Sequence, residues 1–182
     1  SVDGRRFTHK LANISVMCVP VLAQSHGPAW LIFDERRHRA CLEHSVEQRQ
    51  LQEIGAVKCA SSLAELERVC AMPAGSLQSE NEEIDSARAA GRMDRLGRSF
   101  DGLEPLQGPF CAIRVTGALF HTQGGLAVDA DAQVLRRDGR KLPNLFAGGG
   151  AARSISGPAV TGYLPGAGLC MAITLGRLAG RA

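Results

Sequence analysis

The sequence predicts an α/β chain made of two units of different character. Three observations carry this. Apolar residues recur at helical spacing up to about residue 90. After about residue 108 they fall into short strand-like runs. The segment 142–180 then reads as strand, glycine turn and helix in succession. In that segment Leu145, Phe146 and Ala147 end in Gly148, Gly149 and Gly150, and an apolar helix runs from near Pro165 to near Gly180. A junction of this kind lets the backbone come close to a polar ligand.

The composition bounds the rest. The chain has 182 residues, about one domain or one domain and part of another, and is 45% hydrophobic with 21 glycines. Its net charge of +3 is small and its arginines are scattered, which argues against nucleic acid as a partner. Arg36, Arg37, His38 and Arg39 read as a solvated helix face. The six cysteines lie mostly in apolar runs, without a C-x-x-C or a zinc-type histidine spacing. They are expected to be buried thiols in a reducing compartment, with disulfides or a metal site as the weaker alternative. No signal peptide is visible, and no apolar run approaches the about 18 residues of a membrane span, so the expected location is the cytoplasm.

Asp3-Gly4 predicts a hairpin over residues 1–10, and the start so close to it suggests a truncated or processed chain. Of the two apolar runs in 15–33, AWLIF suits a buried strand. Asp34 is expected to cap one helix running to about Glu53, which Gly55 ends. Ser61 or Ser62 caps a second helix, with Glu65 completing a capping box at Ser62 and Pro73 stopping it. A third helix is expected from about Ala74 to Ala90, closed by Gly91. Residues 92–108 are a polar loop, which places the unit boundary near 105–110. Strands follow at Phe110–Val115, Leu126–Val128 and Gln133–Arg136, and Asp138-Gly139 turns the chain toward Leu145–Ala147.

Three places could carry chemistry. His121 follows an apolar strand and precedes Gly124 and Gly125. A histidine there is either structural or able to orient a carbonyl or carboxylate and shuttle a proton. Gly148 to Gly150 form either a tight turn or a close approach to a ligand. Tyr163, the single tyrosine, leads through Pro165 to Gly166, Ala167, Gly168 and Leu169. This is either an ordinary helix start beside a packing tyrosine or a helix terminus whose partial positive charge meets an anionic ring edge or a developing enolate.

The fragments GRRF, AWLIFD, FHTQGG, VDADAQVLRRDG, LPNLFAGGG and ITLGRLAG, in this order over nearly the whole chain, resemble the FAD-dependent fumarate reductase/succinate dehydrogenase flavoprotein superfamily. The resemblance is to the later half of such a protein. It implies a substrate-capping domain over 1–107 with α+β character. It also implies the C-terminal part of a Rossmann-like FAD-binding domain over 108–182. FAD is the implied cofactor, held along Gly124, Gly125, Gly148 to Gly150 and Gly166 to Leu169, and a small molecule is the implied substrate.

The resemblance also exposes departures. The G-x-G-x-x-G loop that cradles the FAD pyrophosphate does not occur in these residues. The chain is therefore expected to be a fragment or one part of a split protein, to bind FAD weakly alone, and to associate with its missing half or with itself. The family's proton-delivering arginine falls at Ile14, its substrate-carboxylate arginine at Tyr163, and the acidic residue after the glycine strand at Gly149 or Gly150. The tyrosine is more similar to the ketosteroid dehydrogenase and tricarballylate dehydrogenase branches, which makes Tyr163, His121 and Gly168 the implied catalytic group. The implied function is an FAD-dependent oxidoreductase acting on a CH–CH bond beside a carbonyl or carboxylate. The alternative is a non-catalytic remnant or scaffold domain.

Overall fold

A computed structural model of the chain describes residues 1, 3–9, 14–24, 27–118 and 122–182. They divide into two compact units, Ser1–Gly117 and Ala118–Ala182.

The first unit is built on a three-stranded antiparallel sheet. Strand β1 (Ala29–Asp34) and strand β2 (Val57–Ala60) flank a central strand, β3 (Phe110–Val115). Ala29 pairs with Val115 and Asp34 with Phe110, while Cys59 lies directly opposite Cys111. The compact units therefore divide ten residues later than the 107/108 boundary read from the sequence, because β3 completes the first unit's sheet. A helix, α1 (Ile14–Leu22), precedes β1. The AWLIF run is not fully buried. It is an edge strand whose interior residues are half exposed, since among the described residues β3 alone pairs with it. Residues 3–9 contain no strand. Ser1 and Gly4 close a turn instead, so the hairpin expected over 1–10 does not form among the described residues.

Asp34 begins a helix as expected, its Oδ1 accepting from the Arg37 amide at 3.1 Å. That helix does not run to Glu53. It breaks into α2 (Glu35–His44) and α3 (Val46–Glu53) at Ser45, whose backbone is extended and whose hydroxyl accepts from the Gln48 amide. A side chain that can cap the next turn competes with helix continuation, and here it wins. The basic run is not a wholly solvated face either. Arg36 and Arg37 clamp the fully buried Asp34 at 2.7 and 2.6 Å. His38 is buried between Gln48 and Gln52, both at 2.9 Å.

Helix α4 (Leu63–Val69) starts at Ser62, whose hydroxyl accepts from the Glu65 amide, and Glu65 reaches back to the amide and hydroxyl of Ser61. The third expected helix is α5 (Ser76–Ala89), entered through Gly75 at φ 77°. No side chain of its own caps it. Glu67, buried on α4, accepts from the amides of Gly75, Leu77 and Gln78 and fastens the two helices together. Leu63, Leu66, Cys70, Leu77, Ala60 and Ala112 form the core beneath the sheet.

The cysteines are not all buried thiols as expected. Cys59 and Cys111 form a disulfide across β2 and β3, because the register sets them opposite one another with Cα atoms 4.1 Å apart. Cys18, Cys41, Cys70 and Cys170 are free.

The second unit holds the hairpin of β4 (Gln133–Leu135) and β5 (Lys141–Phe146), joined by the expected Asp138-Gly139 turn, and the helix α6 (Ala167–Ala179). Leu126 and Val128 make isolated bridges, to Ala152 and Val134, rather than the expected strand. Val134, Ala147, Ala152 and Met171 form its core. No helix among the described residues is long and apolar enough to cross a membrane.

Candidate functional site

The second unit brings three of the chemically suggestive stretches into one small fold. From Phe146 the chain enters a 3-10 turn, Gly149–Ala151, that packs against α6. The three glycines do different things. A Cβ on Gly148 would lie 3.2 Å from the Cβ of Leu175 and 3.4 Å from the Gly176 amide nitrogen. Gly149 has φ 56°, and a Cβ there would lie 3.2 Å from that of Ala172. These two glycines let α6 sit tightly on the turn, so the close approach inferred from the triplet is first of all an approach by the protein's own helix. Gly150 differs, since a Cβ there would meet nothing within 4 Å.

The HTQGG stretch divides in the same way. His121 lies outside the described residues. Gln123 and Leu126 run beside 151–154, with the Ser154 amide donating to Gln123, the Leu126 amide to Ala151 and the Arg153 amide to Leu126, at 2.9 to 3.0 Å. Gly125 is required by this pairing, because a Cβ there would stand 2.5 Å from the Ala152 carbonyl carbon. Gly124 faces open space. Gln123 was not singled out by the sequence reading, yet its Oε1 is buried without a donor among the described residues. Its place inside the motif was the only signal available.

The third stretch is the entry to α6. A 3-10 turn, Val160–Gly162, ends at Tyr163. Gly162 fixes this turn, since a Cβ there would fall 2.0 Å from the Ser156 carbonyl oxygen; the sequence reading missed it. The Ala167 amide donates to Leu164 and the Cys170 amide to Gly166. The amides of Gly168 and Leu169 between them find no acceptor among the described residues, and no side chain caps the helix. Gly166, at φ 83°, and Gly168 both have open space where a Cβ would stand. The result is an exposed helix terminus with two free donors, a partial positive charge and no side chain in front of it, suited to an anionic or strongly polar group.

Electrostatics elsewhere in this unit are structural. A hydrogen bond from Lys141, 2.5 Å away, holds Asp129 below the usual carboxylate range, assisted by the amides of Gln133 and Asp131. This ties the start of β5 to the loop that precedes β4. Among the described residues no three His, Cys, Asp or Glu side chains gather to hold a metal.

A family model described as FAD binding domain matches residues 2–170. The chain belongs to the FAD-binding domain family. A probable fumarate reductase of Shewanella frigidimarina is 26% identical over 181 residues, covering 98% of this chain and 29% of the relative. The 4-oxocyclohexanecarboxylate 2-dehydrogenase of Sinomonas cyclohexanicum is 31% identical over 208 aligned positions, covering 98% of this chain and 35% of the relative. Among solved structures, the open conformation of a flavocytochrome c3 fumarate reductase superposes with a TM-score of 0.71 at 25% identity, over 98% of this chain and 30% of that one. The 3-ketosteroid-Δ4-(5α)-dehydrogenase of Rhodococcus jostii RHA1 gives 0.68 at 27% identity, over 98% and 36%. The chain thus spans between about a sixth and just over a third of the length of the curated relatives it matches.

Family membership makes FAD the implied cofactor. The free amides at the start of α6 and the open face of Gly150 fit a polar, partly anionic ring edge such as that of a flavin. No G-x-G-x-x-G loop is present in these residues for the pyrophosphate.

Proposed function

We propose that the chain is the C-terminal portion of an FAD-dependent oxidoreductase acting on a CH–CH bond beside a carbonyl or carboxylate. The observation that carries this reading is the uncapped, glycine-fronted N-terminus of α6 in a member of the FAD-binding domain family. The relatives' names support the reaction class, since fumarate, acrylate, 4-oxocyclohexanecarboxylate and 3-oxosteroids all carry a carbonyl or carboxylate beside the carbons concerned. FAD, when bound, supplies the hydride-accepting or hydride-donating chemistry.

In this reading the unit Ser1–Gly117, which β3 completes, contributes the substrate-capping domain and Ala118–Ala182 the flavin-side segment. The Gly168 and Leu169 amides hold the anionic edge of the cofactor, and Gly150, Gly166, Ala167 and Gly124 leave room for it. Gly125, Gly148 and Gly149 act indirectly by setting the backbone and α6 in place. Tyr163 polarises the substrate carbonyl through its hydroxyl or moves a proton to or from the adjacent carbon. His121 orients the substrate. Loss of the phenol then costs a factor typical of general acid–base or electrostatic assistance, about 100-fold or more.

The pyrophosphate wall comes from residues beyond this segment. Leu169 and Ile173, one turn apart on α6 and 70% and 65% exposed, are suited to pack against that remainder of the flavoprotein. The Cys59–Cys111 disulfide would be unusual in the reducing cytoplasm expected from the sequence.

The test is made on the full-length gene product. Yellow protein with flavin absorbance bands, turning over one of these substrate classes, and losing at least about 100-fold in kcat on Tyr163→Phe with its flavin retained, is the expected result. An unchanged kcat removes Tyr163 from the mechanism. A second reading, a non-catalytic binding domain, is favoured by Ile14, which stands where the family resemblance puts the proton-delivering arginine. A full-length product that stays colourless with excess FAD transfers the conclusion to that reading.

A further inference from the structure

The first unit contains a cavity of about 480 Å³. Strand β1 contributes Trp30 and Ile32 to its wall, helices α4 and α5 contribute Leu63 and Leu77, and the loop before β3 contributes Phe100 and Leu106. This size lies within the ordinary range for small-molecule pockets, roughly 300–1,000 Å³. The walls are apolar, but one end is not.

Three arginines converge there on one ring. The guanidinium carbons of Arg6, Arg88 and Arg98 stand 5.5, 5.7 and 4.8 Å from the centroid of the buried Phe100. Each arginine has a buried nitrogen without an acceptor among the described residues: Nη2 of Arg6, Nε of Arg88 and Nε of Arg98. The anions nearby are already engaged. Asp94 faces Arg6 Nη1 at 2.6 Å, and its other oxygen accepts from the amides of Leu96 and Arg98. Asp85 is held by Arg88, Glu80 by Arg95 and Glu104 by Arg36. The Arg98 guanidinium has no hydrogen-bond acceptor among the described residues. Burial and then the like charge of Arg6 draw its pKa below the usual guanidinium value, and Asp94 only partly offsets them. Asp94 and Asp85 balance Arg6 and Arg88, but Arg98 has no carboxylate of its own among the described residues, a cost that an anion arriving from outside would relieve.

We propose that this cavity binds an organic anion with an apolar body, a medium-chain monocarboxylate. Its carboxylate sits among Arg98, Arg6 and Arg88 and its hydrocarbon lies against Trp30, Ile32 and Leu77. Arginine forks match a carboxylate, and the ring beneath them holds the guanidinium planes in place. The site involves none of the residues assigned to flavin chemistry, so it stands or falls independently of the proposed function.

Trp30 is the single tryptophan and lines the cavity, so its emission reports occupancy directly. The 182-residue chain is titrated with decanoate, decanol and decyltrimethylammonium, each below its micelle concentration. Decanoate is expected to change Trp30 emission saturably, at least about tenfold more tightly than decanol, the factor one charge-assisted contact gives. The cation is expected not to bind. Arg98→Met is expected to erase the preference for decanoate while leaving decanol binding in place. Equal affinity for decanoate and decanol, or no saturable response to decanoate, overturns the proposal. So does a folded Arg98→Met variant that keeps the preference. If that variant fails to fold, the decanoate-to-decanol ratio on the native chain decides alone.

Discussion

Replacing Gly168 with alanine separates two reasons for a glycine at the start of α6. Gly168 lies inside the helix, without a positive φ, and its added Cβ would meet nothing within 4 Å. By backbone entropy alone, alanine in a helix is then favoured by roughly 0.5–1 kcal/mol. For a chain of this length that is a rise of about 1–4 °C in Tm. If the glycine exists to leave room for a cofactor edge, the same methyl stands in front of the free Gly168 and Leu169 amides and weakens what they bind. The expected outcome is a more stable protein that works less well. Urea or thermal unfolding followed by circular dichroism reads the first effect in the 182-residue chain. FAD retention and turnover read the second in the full-length product, where loss of one hydrogen bond to a charged group corresponds to about tenfold or more. A variant that gains stability and keeps FAD affinity and turnover unchanged would refute the assignment of this terminus to the flavin.

Three further outcomes follow from the geometry. Gly125→Ala must push apart the backbone at Ala152 and so open three hydrogen bonds, a loss of about 3 kcal/mol at about 1 kcal/mol each, seen as fast amide exchange at Leu126, Arg153 and Ser154; Gly124→Ala leaves these amides protected. Asp34 is pushed up by burial but drawn down further by hydrogen bonds from Arg36 and the amides of Arg37 and Gln107, so its folded pKa lies below the unfolded value near about 3.9. Its contribution is therefore complete above that unfolded value and is lost as pH falls through the folded one. Asp34→Asn should be less stable than the native protein at pH 7, with the two stabilities converging in acid. Alkylation under denaturing conditions without reductant should label Cys18, Cys41, Cys70 and Cys170 and spare Cys59 and Cys111; labelling of all six removes the cross-strand bond.

Much of the fold could be read from local chemistry. The caps at Asp34 and Ser62, the helix-closing Gly91 and the Asp138-Gly139 turn are short-range features, and each stands where its residues put it, whereas Gly75, inside the helix expected from Ala74, proves to be its left-handed entry. What escaped depended on partners far along the chain. Nothing around Cys59 announces Cys111, and the burial of His38 depends on Gln52 one helix later. The site followed the same division. The free amides of α6 were foreseeable from Pro165-Gly166-Ala167-Gly168, whereas glycine spacing alone could not distinguish Gly148 and Gly149, which accommodate α6, from Gly150, which faces open space.

The central position of β3 has a consequence for how the chain acquires its structure. Strands β1 and β2 do not pair with each other, and both wait for a strand that begins at Phe110. During synthesis the two earlier strands and the helices around them emerge with their pairing edges unmet. The sheet closes only when the distant segment arrives. Pairing over such separations is slow, and the waiting edges are exposed to other chains. A truncation upstream of Phe110 should therefore not yield a smaller soluble unit but an aggregating one, whereas an end placed after Gly117 keeps the strand with which both β1 and β2 pair.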